Sequence, residues 1–357
     1  MKKKDKLIYV FAFRSSFIRK DEELLRKYFD VVPLFFNPLP RWKTPLSFIK
    51  QVFQLLVNIR NCKGIVCQFA GFHTVAAVIV GKLFGVKTSI ILLGAECHNY
   101  PGIQHGNFRK KWLGKATRFS FRWASQLLPI DKSLIEFQNE YDLSEPRAQG
   151  FKGINPDIQT TTQVIPHGFD GEKFKPNATP PKALSFITAS SSIAPPVFQR
   201  KGIDLILQIA PRFPQCSFTI LCKNDYLKAE DLPNNVYILE AVPYEKLPEV
   251  LANYQFYLQV SIAEGLPNAL CEAMLCGCVP IGSNVFAIPS VIGNTGFIVK
   301  DRSVESFSRT VEDAIACKTL ELLSAQARLR IIENYSILQR ENLLPLSLTA
   351  TSFQYEE

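Results

Sequence analysis

The sequence predicts an α/β fold made of two doubly wound domains that face each other across a cleft. Three observations support this prediction: short apolar runs alternate with amphipathic segments, one proline-rich stretch interrupts the alternation, and the alternation then starts again. Apolar strands that alternate with helices indicate a parallel sheet covered by helices on both faces. The length of 357 residues suits two domains of ordinary size.

The first domain is predicted to occupy residues 1–178. Its N-terminus is basic and resembles a signal peptide, but the following apolar run is short and lacks a small-residue cleavage site, so a buried strand fits better. The predicted strands are Leu7–Phe13, Val31–Phe36, Gly64–Gln68, Thr88–Leu93 and Gln126–Ile130. The predicted helices between them are Lys20–Tyr28, Leu46–Asn61, His73–Phe84 and Asn107–Ala124.

Residues 160–182 interrupt the alternation and predict a linker. Prolines and small polar residues, which favour turns and loops, are concentrated there. The prolines are Pro166, Pro176, Pro180 and Pro181. We therefore predict a second domain at 179–337, and we expect the tail, about 338–357, to pack back on the first domain.

The second domain repeats the alternation of strands and helices. The predicted strands are Ala183–Ala189, Ser217–Cys222, Val236–Leu239, Phe256–Gln259, Val279–Gly282 and Gly296–Val299. The predicted helices are Gly202–Phe213, Tyr244–Asn253, Ala269–Cys276, Val304–Ala316 and a final stretch that begins near Leu320 and passes Glu333.

Composition and short motifs exclude several classes of protein. No apolar run reaches the about 18 residues of a membrane-spanning helix, so we expect no membrane span. The nine cysteines form no C-x-x-C pair and the four histidines fall in no zinc pattern, which favours reduced thiols in a cytoplasm. The chain also lacks a D-x-D motif, a G-x-G-x-x-G motif and a Walker loop, which disfavours a bound divalent metal, dehydrogenases and P-loop kinases.

The segment Ser261–Ile281, SIAEGLPNALCEAMLCGCVPI, carries the most informative pattern. Glu264 lies in a loop after a strand, and Glu272 follows about one turn into a helix that begins near Asn268. Unpaired N–H groups at the helix start, and close backbone approach at Gly265, suit a diphosphate. Glu272 could then accept both hydroxyls of a ribose. The alternative is structural: Asn268 caps the helix and the glutamate interacts with its dipole.

This segment closely resembles the E-x7-E signature of retaining GT-B glycosyltransferases of glycosyltransferase family 4. Three further segments occur in the family's order: VIPHGFDGEKFKP at Val164–Pro176, RKGIDLILQIAPRFP at Arg200–Pro214, and TGFIV at Thr295–Val299. The first half is matched only by its pattern and by the loop Gly94–Lys110. The resemblance implies the GT-B fold of two Rossmann-like domains. It also implies sugar transfer from a nucleoside-diphosphate sugar with the anomeric configuration kept.

The resemblance assigns donor-side roles to residues of the second domain. Glu264 would face the donor sugar, Glu272 would bind the ribose, and Lys201 with Arg200 would stabilise the departing diphosphate. Further donor contacts are expected from Gly265, Leu266, Pro267, Asn268, Ala269 and Leu270. The base is expected near Cys222–Asn224 and Val242–Leu247. No metal or cofactor is implied, because the family uses basic side chains and helix ends.

One position departs from the family pattern. Most relatives carry an arginine five residues before the lysine, where this chain has Pro196. Arg200 could replace that arginine from a shifted loop. Two alternatives remain open: a solvated basic turn at Arg200 and Lys201, and a catalytically weak nucleotide-sugar-binding scaffold.

On the acceptor side, Glu96 and His98 follow the strand Thr88–Leu93, in a loop where many relatives have Asp or His near the reacting centre. We expect both residues in the acceptor site. We also expect His98 to join Glu264 and Lys201 as a catalytic residue, with a structural role as the alternative. His167 is expected at the domain junction, and His73 and His105 in packing or at the surface.

Charge is uneven along the chain. Residues 1–150 carry 24 basic and 11 acidic side chains, whereas residues 151–357 carry 17 and 21. Two basic amphipathic segments, 41–60 and 108–123, could lie on an anionic membrane; the alternative is a core-facing helix with a solvated basic side. No nucleic-acid-binding motif accompanies the charge, so no nucleic acid is expected. With the resemblance, this suggests a peripheral enzyme of cell-surface polysaccharide or glycolipid biosynthesis that acts on a saccharide or lipid-linked acceptor.

Overall fold

The first half of the chain forms one parallel sheet in a computed structural model that describes residues 4–37, 44–224 and 226–349. The strands are β1 (Lys6–Phe11), β2 (Asp30–Phe35), β3 (Cys62–Gln68), β4 (Lys87–Leu92) and β5 (Gln126–Pro129). They pair in the order β2–β1–β3–β4–β5, and every pair is parallel.

Helices cover both faces of this first sheet. They are α1 (Ser16–Tyr28), α2 (Thr44–Asn58), α3 (Phe72–Leu83) and α4 (Lys111–Trp123). Because β2 and β3 lie on opposite sides of β1, right-handed crossovers put α1 on one face and α2, α3 and α4 on the other. On that second face α3 packs against both α2 and α4.

The second half forms a second, six-stranded parallel sheet. A short hairpin, β6 (Phe137–Gln138) and β7 (Ala148–Gln149), and the helix α5 (Phe151–Ile154) come before it. Its strands are β8 (Lys182–Ala189), β9 (Ser217–Cys222), β10 (Val236–Glu240), β11 (Tyr254–Gln259), β12 (Val279–Ser283) and β13 (Phe297–Val299). They pair in the order β10–β9–β8–β11–β12–β13. The predicted domain boundary falls between the two sheets.

Helices of the second half alternate with its strands. They are α6 (Val197–Arg200), α7 (Ile203–Ile209), α8 (Leu247–Leu251), α9 (Asn268–Leu275), α10 (Ile288–Ile292), α11 (Val304–Ala316) and α12 (Leu320–Asn334). Within the described ranges, no helix combines the length and hydropathy needed to cross a bilayer.

Every predicted strand and helix is present, but some predicted bounds are wrong. The helix predicted at Gly202–Phe213 becomes α7 and a short 3-10 turn, Ala210–Arg212, because Pro211 has no N–H to continue the helix. The helix predicted at Tyr244–Asn253 begins only at Leu247, with a proline in its first turn. The helices α6 and α10 and the hairpin are too short to show a periodicity, and the sequence did not predict them.

The last helix, α13 (Ile337–Thr349), returns to the first sheet. Arg340 forms two hydrogen bonds with Asp21 of α1, from Nε to Oδ1 at 2.7 Å and from Nη2 to Oδ2 at 2.6 Å. Lys87 and Gln126 both donate to the carbonyl oxygen of Ser347, at 3.1 Å and 2.9 Å. The tail was expected to make such contacts; residues 350–357 lie outside the described residues.

Candidate active site

The loops that follow β4 and β11 touch each other. A Cβ atom on Gly265 would overlap the carbonyl oxygen of Leu93, and one on Gly94 would lie 3.3 Å from the amide nitrogen of Gly265. The sequence interpretation attributed this glycine to ligand approach, but the structure gives another reason: the two halves of the chain meet there. Because doubly wound sheets bind ligands at the carboxyl ends of their strands, this contact marks the candidate site.

Glu264 is the centre of a charged cluster at this edge. Its Oε1 atom lies 2.6 Å from Lys201 Nζ and 3.9 Å from Arg200 Nη1. The same oxygen accepts hydrogen bonds from Ser261 Oγ at 3.0 Å and Gln259 Nε2 at 3.1 Å. Burial raises the pKa of Glu264, whereas Lys201 and Arg200 lower it. The combined effect of the two cations is the larger, so the pKa lies below its ordinary value. The carboxylate is therefore ionised at neutral pH.

Lys201 reaches Glu264 because the chain turns tightly at Gly202. This glycine has φ +70° and starts α7, and a Cβ atom there would overlap the carbonyl oxygen of Val260. The turn is tied to the end of β11 by a hydrogen bond from the Ile262 amide to the Arg200 carbonyl at 2.8 Å. The two basic residues therefore face the strand end, and they do not form a solvated turn.

Arg200 lies one helical turn beyond Pro196, at the end of α6. It approaches the same carboxylate as Lys201, and its side chain is largely buried. A second cation is thus present in the site although the arginine expected at position 196 is absent.

The N-terminus of α9 presents backbone amides at the same edge. Its first hydrogen bond runs from the Cys271 amide to the Pro267 carbonyl at 3.2 Å. The amides of Asn268, Ala269 and Leu270 precede this bond, and these are the groups that a helix start offers to an anion. The predicted residues Leu266 and Leu270 have buried side chains, so only their backbone could contact a donor.

Glu272 is buried in α9 and is hydrogen-bonded to an aromatic residue. Tyr244 Oη donates to Glu272 Oε1 at 2.7 Å, and Lys20 Nζ of α1 donates to Tyr244 Oη at 2.9 Å. Burial raises the pKa of Glu272 above its ordinary value, although Tyr244 and Lys20 act in the opposite direction. The sequence placed Tyr244 in the base-binding range and gave Lys20 no role. Lys20 lies near the start of α1, directly after the first βα turn, and this position could have indicated it, since such turns bind phosphates in doubly wound sheets.

A cavity of about 160 Å³ connects these elements. Lys20, His167, Asn268, Glu272 and Arg340 are among its lining residues. His167 is buried at the junction, as expected, and burial together with the nearby Arg340 lowers its pKa to about 3. It is therefore neutral at physiological pH.

Glu96 lies beneath the loop after β4 and is buried. Its Oε1 atom accepts a hydrogen bond from the Leu93 amide at 2.7 Å, and burial raises its pKa to about 7. Its Oε2 atom has no hydrogen-bond partner among the described residues. Glu96 thus binds the backbone of Leu93, whose carbonyl oxygen lies next to Gly265; its acceptor role stays a prediction.

His98 lies between the two halves of the chain. Its ring centroid is 4.3 Å from that of Phe286, which follows β12 and stacks on Phe137 at 4.4 Å. His98 Nδ1 lies 3.2 Å from His105 Nε2. Burial, together with His105 and Arg200, lowers the pKa of His98 well below its ordinary value, so it is neutral. His105 was expected only in packing or at the surface, but the structure places it beside a candidate catalytic residue.

His73 lies apart from this site, as expected: it is buried, with Nε2 2.9 Å from the Gln68 carbonyl oxygen. In the part of the chain that the structure describes, no three His, Cys, Asp or Glu side chains are grouped to hold a metal ion.

Comparison with known proteins connects this site to a family. Residues 187–317 match the family "Glycosyl transferases group 1". One similar protein is a phosphatidylinositol N-acetylglucosaminyltransferase component from Arabidopsis thaliana, 24% identical over 166 residues. That match covers 43% of this chain and 36% of the plant protein, so it spans about a third of the relative's length.

Solved structures share the architecture of almost the whole chain. Sucrose-phosphate synthase from Thermosynechococcus elongatus superposes with a TM-score of 0.73 at 13% identity, over 96% of this chain and 98% of that one. Anabaena HepE, in complex with UDP and glucose, superposes with a TM-score of 0.67 at 13% identity, over 96% and 99%. The predicted GT-B fold is confirmed.

Proposed function

From the glycosyl transferases group 1 domain of residues 187–317, we propose that this chain transfers a sugar from a nucleoside-diphosphate sugar to a saccharide or lipid-linked acceptor. The anomeric configuration is kept, and no metal is required. The observation that carries the proposal is the convergence of Lys201, Arg200 and Glu264 beside the open N-terminus of α9. Cations, a carboxylate and helix amides in one cleft suit a donor with a diphosphate and a hydroxyl-rich sugar.

Donor binding would change the pairing of charges in the site. Lys201 and Arg200 both face Glu264. A diphosphate at the start of α9 would compete for the two cations, and the carboxylate would then be free to accept hydroxyls of the sugar. As the sugar–phosphate bond breaks, negative charge grows on the leaving diphosphate, and preorganised cations stabilise that charge.

Glu272 is the proposed ribose ligand. A buried carboxylate that accepts the Tyr244 hydroxyl is able to accept ribose hydroxyls instead. His98, which is neutral and buried, would act beside the sugar through a hydrogen bond and not as a charged acid. A backbone hydrogen bond with Glu264 places the His98 ring beside the residue proposed to face the donor sugar.

The proposed setting is cytoplasmic assembly of a cell-surface polysaccharide or glycolipid. The plant relative is named for N-acetylglucosamine transfer to phosphatidylinositol, and HepE was solved with UDP and glucose. The first supports a lipid-linked acceptor, and the second supports a nucleotide-sugar donor.

A panel of nucleoside diphosphates and nucleotide sugars in thermal unfolding tests the donor class, since a ligand of the folded state raises Tm. Donor hydrolysis without acceptor then separates the enzyme from a nucleotide-sugar-binding scaffold. Stabilisation together with slow release of nucleoside diphosphate supports transfer. Stabilisation without release supports the scaffold, and no stabilisation by any nucleotide contradicts both.

A further inference from the structure

Helix α2 carries large apolar side chains on its outward side as well as on the side that packs against the sheet. Five large apolar side chains of this helix are between 47% and 67% exposed: Leu46, Ile49, Phe53, Leu56 and Val57. Their spacing places them on one face of the helix. The opposite face carries Leu55 and Gln51, whose amide donates to the His73 carbonyl oxygen at 2.7 Å. A helix that only covered the sheet would present its apolar side inward.

The charge around this face has one sign. Residues 31–130, which include α2, α3 and α4, contain 13 Lys and Arg side chains and a single acidic residue, the buried Glu96. Lys50 is exposed on the apolar face itself. On α4, which packs beside α3, Lys111 and Lys115 are exposed around Trp112, whose side chain is 69% exposed.

Two of the basic residues of α4 are already paired with an acidic side chain. Arg118 and Arg122 both pair with Asp157. The sequence placed a membrane contact on residues 41–60 and 108–123 because of their charge. In the structure the apolar part of such a contact belongs to α2, and α4 adds cations at its first turns. Arg41, Trp42 and Lys43 lie outside the described residues.

We infer that the face formed by α2, α3 and α4, called here the α2 face, docks on an anionic lipid bilayer. The five apolar side chains of α2 enter the boundary between headgroups and acyl chains, and the surrounding lysines contact lipid phosphates. An anionic bilayer offers hydrocarbon and negative charge together, which matches the apolar and basic side chains of this face. Nucleic acid offers phosphates without an apolar layer, and a second copy of the chain brings the same positive charge. The inference does not depend on the proposed sugar transfer.

The test is sedimentation of the full chain with vesicles of phosphatidylcholine, with and without phosphatidylglycerol, at low and high salt. We expect binding to the anionic vesicles, weaker binding at high salt, and little binding to phosphatidylcholine alone. The double variant Ile49→Glu and Phe53→Glu should weaken binding about tenfold or more, because it places charge in the apolar layer. A matched control, Leu322→Glu and Leu329→Glu, changes two exposed leucines of α12 in the other half and should bind like the wild type.

Three outcomes would overturn the inference. One is equal loss of binding in both double variants, with thermal unfolding showing both folded. Another is undiminished vesicle binding by the α2 double variant, which would mean that the basic side chains alone cause the binding. The third is a wild type that stays in the supernatant and sediments as a dimer in analytical ultracentrifugation, while the α2 variant is a monomer. The α2 face would then be an interface between copies of this chain.

Discussion

The ammonium of Lys201 lies 2.6 Å from Oε1 of Glu264, although 63 residues separate them in the chain. This pair joins the loop before α7 to the loop after β11 at the edge where the two halves meet. The lysine lowers the pKa of Glu264 and so helps to keep this carboxylate ionised. A substitution on either side of the pair should therefore change both charge and chemistry at this edge.

Replacing Lys201 by alanine should lower kcat more than it weakens donor binding. Its charge matters most as the diphosphate departs, and loss of one such preorganised group costs about 10²–10³ in kcat. Because Lys201 lowers the pKa of Glu264, the acid limb of the pH–rate profile should also move to higher pH. A rate measurement across pH checks both effects. An unchanged kcat with a higher KM would show that the lysine contributes only to binding.

Replacing Glu272 by alanine should weaken donor binding by about 1.5–3 kcal/mol, the usual contribution of hydrogen bonds to a charged group. Calorimetry with the nucleoside diphosphate measures this loss. A 2′-deoxyribose donor provides the control. It should bind the wild type less well than the ribose donor does, whereas the variant should bind the two donors with equal affinity. If the variant still distinguishes the two donors, Glu272 does not bind the ribose.

Replacing Tyr244 by phenylalanine should tighten donor binding by about 1 kcal/mol. The tyrosine hydroxyl donates to the carboxylate that the ribose is expected to use, so removing it removes a competitor. Calorimetric titration of wild type and variant decides the sign. Weaker binding would mean that Tyr244 contacts the donor directly.

Replacing Gly265 by alanine should destabilise the contact between the halves of the chain. The added Cβ atom would overlap the Leu93 carbonyl oxygen, so the two loops would have to separate. Thermal unfolding should show a lower Tm, and small-angle scattering a larger radius. Gly153→Ala is the matched control, since a Cβ atom there meets its nearest neighbour at 3.8 Å. Equal Tm values for both variants would contradict this account of Gly265.

The buried pair of Asp21 and Arg340 should make stability depend on pH. Burial raises the pKa of Asp21, whereas Arg340 lowers it through its charge and its hydrogen bonds. The lowering is the larger effect, so the pKa lies below its ordinary value. The pair therefore stabilises the fold above the unfolded-state pKa and loses this effect as pH falls through the folded-state pKa. Arg340→Met should cost about 3–5 kcal/mol at neutral pH, since it leaves a buried carboxylate unpaired. Denaturant unfolding at several pH values should show the gap to wild type narrowing as pH falls; a constant gap would contradict this.

Much of this structure could be predicted from the sequence because its pattern is local. Alternating strands and helices predicted both sheets, and the Gly-Leu-Pro-Asn sequence after Glu264 predicted a helix start near Asn268. Contacts between residues that are distant in the chain leave no local pattern in the sequence. The approach of Lys20 to Tyr244 joins residues 224 positions apart. Similarly, the periodicity of α2 shows that the helix is amphipathic but not which side faces the sheet.

Release of nucleoside diphosphate from nucleotide sugars is the most direct test of the central claim, that Lys201, Arg200, Glu264 and Glu272 form a sugar-donor site. Wild type, Lys201→Ala and Glu264→Gln would be incubated with donors of different bases and sugars. We predict release from at least one donor by the wild type, and about a hundredfold less by either variant. Equal release by the wild type and both variants, or binding of no donor by the folded wild type, would contradict the claim.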